Sequence, residues 1–180
     1  EAHFKSVFEV IDSNVDLNRT YELILLPSAE ISSDENRKKY DMQTRFRVIP
    51  HCFGKYSVYG QRFSPSEIQE MCVANNTLSF KDYLDCRALS LTNEIFYSDG
   101  MFRELINFLG INNIPPSSLI KNIHEEVREG ILKEIYDGFS GENQIDLWES
   151  REDLESFLQN PANVEKYCSG ELGNNELFKY

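Results

Sequence analysis

Glu30, Arg47, His51 and Tyr56 stand within 27 residues of one another and are the side chains best suited to chemistry in this chain. Glu30 closes the stretch Leu23-Ile24-Leu25-Leu26-Pro27-Ser28-Ala29-Glu30, four large apolar residues that run into a proline and end on a carboxylate. A carboxylate just past a buried strand either faces a ligand at a barrel mouth or caps the next helix. Arg45 and Arg47 alternate with Phe46 and Val48. Their guanidinium forks suit a planar anion, or they form the solvated face of an edge strand. His51-Cys52 has the composition of a base and a nucleophile, but neighbours on an extended chain point apart. Tyr56, Tyr59 and Phe63 either line a cleft or pack within a loop.

Other groups suggest less. Cys52, Cys72, Cys86 and Cys168 are widely spaced, with no Cys-x2-Cys pair, so the sequence offers neither a zinc nor an iron–sulfur framework. Four scattered thiols without a secretory pattern read as reduced cytoplasmic cysteines. His124 lies beside an apolar helical stripe and reads as a satisfied core residue. The turn Asp137–Glu149 shares glycines and acids with an EF-hand loop. Phe139 occupies the third position, where a ligand belongs, and this excludes calcium. Asn18-Arg19-Thr20 and Asn75-Asn76-Thr77 match a glycosylation sequon that is common by chance.

The elements that must position these residues follow from periodicity. Phe4, Val7, Phe8 and Ile11 form an i, i+3, i+4, i+7 stripe, so residues 3–12 are an amphipathic helix. Tyr21–Leu26 is apolar on both faces and reads as a strand buried on both sides, stopped by Pro27. Ser32-x-x-Glu35 starts a short charged helix, and Thr44–Ile49 is a second strand. The stretch 64–74 fits a helix begun by Pro65 or a strand through Met71-Cys72-Val73. Ser79-x-x-Asp82, Ser150-x-x-Asp153 and Asn160-Pro161 mark later helix starts. Asp99-Gly100 breaks a helix, and Pro115-Pro116 precedes a long one over 117–136. A glycine-rich turn is expected at 137–143. A helix, a buried strand and a loop ending on a carboxylate make one unit of a β/α barrel.

The bulk numbers narrow the class. The 180 residues carry a formal net charge of −12, which disfavours nucleic acid and anionic membranes as partners. No apolar run approaches the length of a bilayer span. The chain opens at Glu1 without a signal pattern, which points to a cytoplasmic protein and to a fragment.

Longer stretches carry a resemblance. These are Tyr21-Glu22-Leu23-Ile24-Leu25-Leu26-Pro27 with Glu30, residues 39–50 (KYDMQTRFRVIP), residues 76–83 (NTLSFKDY) and residues 169–177 (SGELGNNEL). Together they resemble the C-terminal region of radical SAM enzymes of the cobalamin-binding class. The resemblance implies an upstream cobalamin domain and a partial β/α barrel whose Cys-x3-Cys-x2-Cys triad holds a [4Fe–4S] cluster that cleaves S-adenosylmethionine. Neither triad nor cobalamin domain is in this chain, so it would hold no cofactor itself. The implied fold is α+β. Residues 1–50 are the trailing helix and strands of the barrel, and residues 51–180 are a mainly helical cap. The resemblance also favours a strand over 67–73. It implies Glu30, Arg47, His51 and Tyr56 as substrate- or S-adenosylmethionine-facing residues and the upstream barrel as partner. It leads one to expect Gly-Thr before the glutamate, where this chain has Ser28-Ala29.

Three functions stay in view. The first is the C-terminal portion of a radical SAM protein, silent alone. The second is a free-standing acidic module that binds a protein. The third is a small Cys–His hydrolase. Cut from its sheet, the Tyr21–Leu26 strand would leave an apolar edge that two copies could cover as a homodimer.

Overall fold

A computed structural model describes residues 1–127 and 129–173. The fold is α+β, with eight α-helices and a small antiparallel β part among the described residues. The chain divides into two compact units, each with its own core. The first comprises residues 1–21 and 84–140. The second comprises residues 22–83 and the described residues from 141 onward. No described helix is long and apolar enough to cross a membrane.

The first unit is helical. Helix α1 (Ala2–Asp12) presents the predicted stripe, with Val7 and Ile11 buried against Leu89, Tyr97, Ile106 and Ile120, and with Phe4 and Phe8 at the margin. These partners come from α3 (Phe80–Asn93), α4 (Arg103–Ile111), α5 (Pro116–Glu126) and a π-helical turn, Glu94–Ser98, that follows α3. The π turn grips the loop after α1. Ser98 Oγ donates to the Asn18 carbonyl at 2.7 Å, the Asn93 amide donates to the same oxygen, and the Tyr97 hydroxyl donates to the Val15 carbonyl. Asn18 is therefore buried, which removes the first sequon from glycan access. His124 is buried as predicted, with Nδ1 2.8 Å from Thr92 Oγ1; that oxygen also lies 2.8 Å from the Tyr136 hydroxyl.

The expected long helix over 117–136 is two helices. α5 stops at Glu126, where the Gly130 amide donates back to the Glu126 carbonyl at 3.0 Å. α6 (Lys133–Ile145) then runs straight through the expected glycine-rich turn. Burial of Phe139 and Asn143 outweighs the cost of about 1 kcal/mol that each helical glycine, Gly138 and Gly141, carries relative to alanine. The apolar spacing Ile120, Ile123, Val127, Ile131 and Ile135 that suggests one helix does not form one buried face, because Ile131 is almost wholly exposed.

The second unit is built on one β-ribbon. β1 (Gln43–Phe53) pairs antiparallel with β4 (Ser66–Ala74), in a register that sets Arg45 against Met71, Arg47 against Gln69 and Phe53 against Ser66. Beyond an irregular stretch the ribbon continues as β2 (Tyr56–Val58) and β3 (Gln61–Phe63). Val48, Leu154 and Tyr167 are buried under its base, with Phe46, Phe53, Ile68, Trp148 and Phe157 packed around them. Leu154 and Tyr167 come from α7 (Arg151–Leu158) and α8 (Pro161–Cys168). Their caps are those the sequence marks: Ser150 Oγ accepts from Asp153 N, and Asn160 Oδ1 accepts from Ala162 N. Ser79 Oγ likewise accepts from Asp82 N at the start of α3, while Asp82 accepts from Ser79 N, a reciprocal capping box. The short charged helix, α2 (Asp34–Lys39), is capped by Ser33 rather than Ser32.

One expectation is corrected here. Tyr21–Leu26 is not a strand buried on both faces. It touches the sheet through a single antiparallel bridge, Ile24 to Met71. Two backbone bonds hold it: Leu25 N to Glu70 O and Cys72 N to Leu23 O, both 2.9 Å. Only Leu25 is buried, while Tyr21, Leu23, Ile24 and Leu26 are exposed. The pairing is antiparallel, whereas consecutive barrel strands are parallel. The ambiguous stretch 64–74 is strand β4.

Candidate functional site

The second unit holds a buried polar constellation on the ribbon. Arg47, only 6 % exposed, sits on β1 opposite Gln69 of β4. Its guanidinium bonds Glu22 and Gln69. Nη2 donates to Glu22 Oε2 at 2.9 Å and Nη1 to Glu22 Oε1 at 3.3 Å, a two-pronged contact. With the Gln69 amide oxygen turned toward it, Nε donates at 2.6 Å and Nη2 at 3.0 Å. The Tyr83 hydroxyl, at the start of α3, donates to Glu22 Oε1 as well. Glu22 lies just ahead of the apolar segment, so the carboxylate ties that segment, the ribbon and the head of α3 together.

A second carboxylate is held nearby. Glu70 accepts from Arg37 Nη1 and Nη2 of α2 at 2.5 and 2.8 Å. Hydrogen bonding to Arg37 holds the Glu70 carboxyl below the usual carboxylate range, more strongly than burial pushes it up. Cys72 is buried on the same strand and donates to the Ala74 carbonyl; burial pushes its thiol up, away from nucleophilic use.

Between these anchors lies the turn that leads to Glu30. The Ala29 amide donates to the Leu26 carbonyl at 3.2 Å, with Pro27 second and Ser28 third in the turn. Ser28 has φ of 67°, in the left-handed region. Proline at the second place and positive φ at the third is the pattern of a type II turn, which favours glycine there. The chain then enters a 3-10 turn, Glu30–Ser32, and the Glu30 carbonyl accepts from Asn36 Nδ2 at 2.8 Å.

The sequence-derived candidates thus have different surroundings. Arg47 does meet a carboxylate, but that of Glu22 in its own chain. Its expected alternative, a solvated edge, describes only Arg45, which pairs with exposed Glu149 at 2.5 Å. Glu30 is exposed at the head of the 3-10 turn and does not cap α2, because Ser33 does. His51 is exposed, with φ of 61°, in the stretch between Val48 and Phe53 where the ribbon register shifts. Tyr56 is half-exposed on β2, with its ring over Gly54. Glu22, Gln69 and Tyr83 were missed. The available signal was that an arginine flanked by Phe46 and Val48 on a core strand requires a buried carboxylate, and Glu22 stands at the edge of the adjoining apolar run.

An open hollow of about 540 Å³ lies between the start of β4 and α7, lined by Ser66, Glu67, Ile68, Arg151, Glu155 and Leu158 among others. None of the four candidate residues lines it. The four cysteines are free thiols, and among the described residues no three His, Cys, Asp or Glu side chains group as metal ligands. Residues 174–177 of the last resemblance stretch lie outside the described residues. Neither a protein-family model nor a curated protein matches the chain.

Proposed function

We propose that the chain is the C-terminal portion of a radical SAM protein, covering the substrate side of a barrel supplied by upstream sequence. The observation that carries this reading is Ser28. The resemblance expects glycine at that position. Here the backbone takes the left-handed conformation that glycine adopts freely and serine does not. The left-handed turn before Glu30 supports the reading, while Ser28 in place of glycine sets a side chain where the resemblance expects close approach of backbone to a ligand.

The exposed apolar edge of Tyr21–Leu26 supports the same reading, because large contiguous apolar surface marks a site awaiting cover. In this assignment the cluster and S-adenosylmethionine, and cobalamin where it is used, belong upstream; there the cluster supplies reductive cleavage of S-adenosylmethionine. This chain supplies positioning. Glu30 and Tyr56 are exposed side chains that would face a bound molecule, and exposed His51 lies between them in sequence. Arg47 is a positioning residue that acts through Glu22 to hold the segment before the turn. The location that goes with this reading is cytoplasmic.

The test is to read and express the coding frame extended upstream, anaerobically, and to assay 5′-deoxyadenosine formed from S-adenosylmethionine with a reductant. An in-frame Cys-x3-Cys-x2-Cys segment and product formation are expected. The isolated chain should form none. An upstream frame without the triad would overturn the proposal and favour the free-standing acidic module.

A further inference from the structure

The outer edge of β4 is only partly used. Leu25 N donates to Glu70 O and Cys72 N donates to Leu23 O, so residues 70 and 72 turn these groups away from β1. The Pro65 carbonyl, by contrast, accepts from Gly54 N on the β1 side. Successive residues of a strand direct their backbone groups to opposite edges. The N–H and C=O of Ser66 and Ile68 therefore lie on the outer edge, on the same side as the Glu70 carbonyl. No backbone group among the described residues bonds them there. The chain's own edge segment does not extend that far. In the register of Ile24 with Met71, Pro27 would come opposite Ile68, and proline has no N–H to give. Pro27 enters the turn that ends at Ala29 instead.

This open edge forms one wall of the hollow of about 540 Å³. The other wall is a single stripe at the end of the fold's ribbon layer: Arg151, Glu155 and Leu158 of α7 with Gln159 just after it, spaced i, i+4, i+7 and i+8. Ile68 and Leu158 both pack against the buried cluster of Val48, Leu154 and Tyr167, so the groove has an apolar floor. A peptide strand laid along Ile68 suits such a gap. Its backbone meets the Ile68 N–H and C=O, and alternate side chains enter the gap toward Leu158.

Charge selects the strand. The rim carries the carboxylates of Glu67 and Glu155 against one guanidinium, that of Arg151. Arg151 is taken by Glu155, with Nε donating to Oε1 at 2.7 Å. Glu67 is exposed and pairs with no cation among the described residues. Glu152 and Asp153 add negative charge in the first turn of α7. Lysine or arginine alternating with apolar residues complements this rim, and an acidic strand is repelled by it.

We infer that the groove between β4 and α7 binds an extended basic segment of a partner protein, which adds as a strand to Ser66–Ile68 and sets alternate apolar side chains over Leu158. The contact is short, so the affinity is on the order of tens of micromolar. The inference stands on the second unit alone and does not rest on the barrel assignment.

The probe is a fluorescein-labelled peptide of alternating lysine and valine, about six residues long, titrated by anisotropy against the full 180-residue chain. Saturable binding is expected, with hydrogen exchange at the Ile68 amide slowed about tenfold or more in the complex. N-methylation of every peptide amide should abolish binding, because it removes the donors of the added strand. A peptide of alternating glutamate and valine should bind about tenfold less tightly or worse. Glu67→Lys, at an exposed position, should weaken the lysine peptide about threefold or more. Glu104→Lys, the same charge change on α4 of the first unit, should leave it unchanged. A wild-type chain that binds no lysine peptide at about millimolar concentration overturns the inference. So does binding that survives N-methylation, that protects Leu23–Leu26 rather than Ile68, that favours the glutamate peptide, or that responds equally to the two lysine variants.

Discussion

Removing the Glu22 carboxylate should unfold the second unit far more readily than its position at the edge of a loosely held segment suggests. In Glu22→Ala the Arg47 guanidinium stays buried and loses its two-pronged contact with the Glu22 carboxylate, keeping the Gln69 amide oxygen. Tyr83 loses its hydrogen bond to Glu22 at the same time. Breaking a buried ion pair from one side costs about 3–5 kcal/mol, because an uncompensated charge remains. The two bonds from Gln69 lower that toward about 3 kcal/mol. Trp148 is the sole tryptophan and bonds through its backbone to Phe46, next to Arg47, so its fluorescence reports this unit directly.

The decisive comparison is the double variant Glu22→Leu with Arg47→Met. Replacing a buried pair by apolar groups of similar size is commonly neutral or stabilising. Urea unfolding followed at Trp148 should therefore rank the proteins with Glu22→Ala well below wild type and the double variant close to it. A loss under about 1 kcal/mol in Glu22→Ala, the range of exposed pairs, would show that water reaches Arg47 and that the constellation does not hold the segment. A double variant as weak as the single would show that the charges themselves stabilise the fold.

Two further outcomes follow from neighbouring groups. Because Arg37 depresses the Glu70 pKa in the folded chain, acid favours the unfolded state. This stabilisation is present above the ordinary glutamate value and is lost as pH falls through the depressed one. Glu70→Gln should lower stability at neutral pH, and the deficit should shrink as pH falls below the ordinary glutamate value; a deficit that stays constant as acid is added, read at Trp148, would contradict this. Ser28→Gly should raise stability by about 0.5–1 kcal/mol. The left-handed conformation costs serine about 1–2 kcal/mol, while glycine returns about 0.5–1 through its freer unfolded chain. A lowered urea midpoint would refute that balance.

Much of the helical part was legible because its signals are local. The caps at Ser79, Ser150 and Asn160 and the stripe of α1 depend on residues two to four apart, and all are found as expected. The failures came where tertiary packing overrules local preference. Gly138 and Gly141 signal a turn, but Phe139 is buried and the helix runs on. Arg45 and Arg47 look alike in sequence, and only the position of Glu22 separates a half-exposed ion pair from a buried one.

The segment Leu23–Leu26 shows most clearly what a local pattern leaves open. Four apolar residues in a row state that both faces of the backbone favour cover, not that either face receives it. In this chain one residue in the run, Leu25, is buried, and two backbone bonds hold the segment against β4. The pattern therefore records a preference that, among these four residues, only Leu25 satisfies. Glu22 immediately precedes the run and is clamped from two sides; Ser28 follows it in a conformation strained for serine. Both ends of the segment are fixed while its middle stays exposed, so the apolar run acts here as a tethered edge rather than as a core strand.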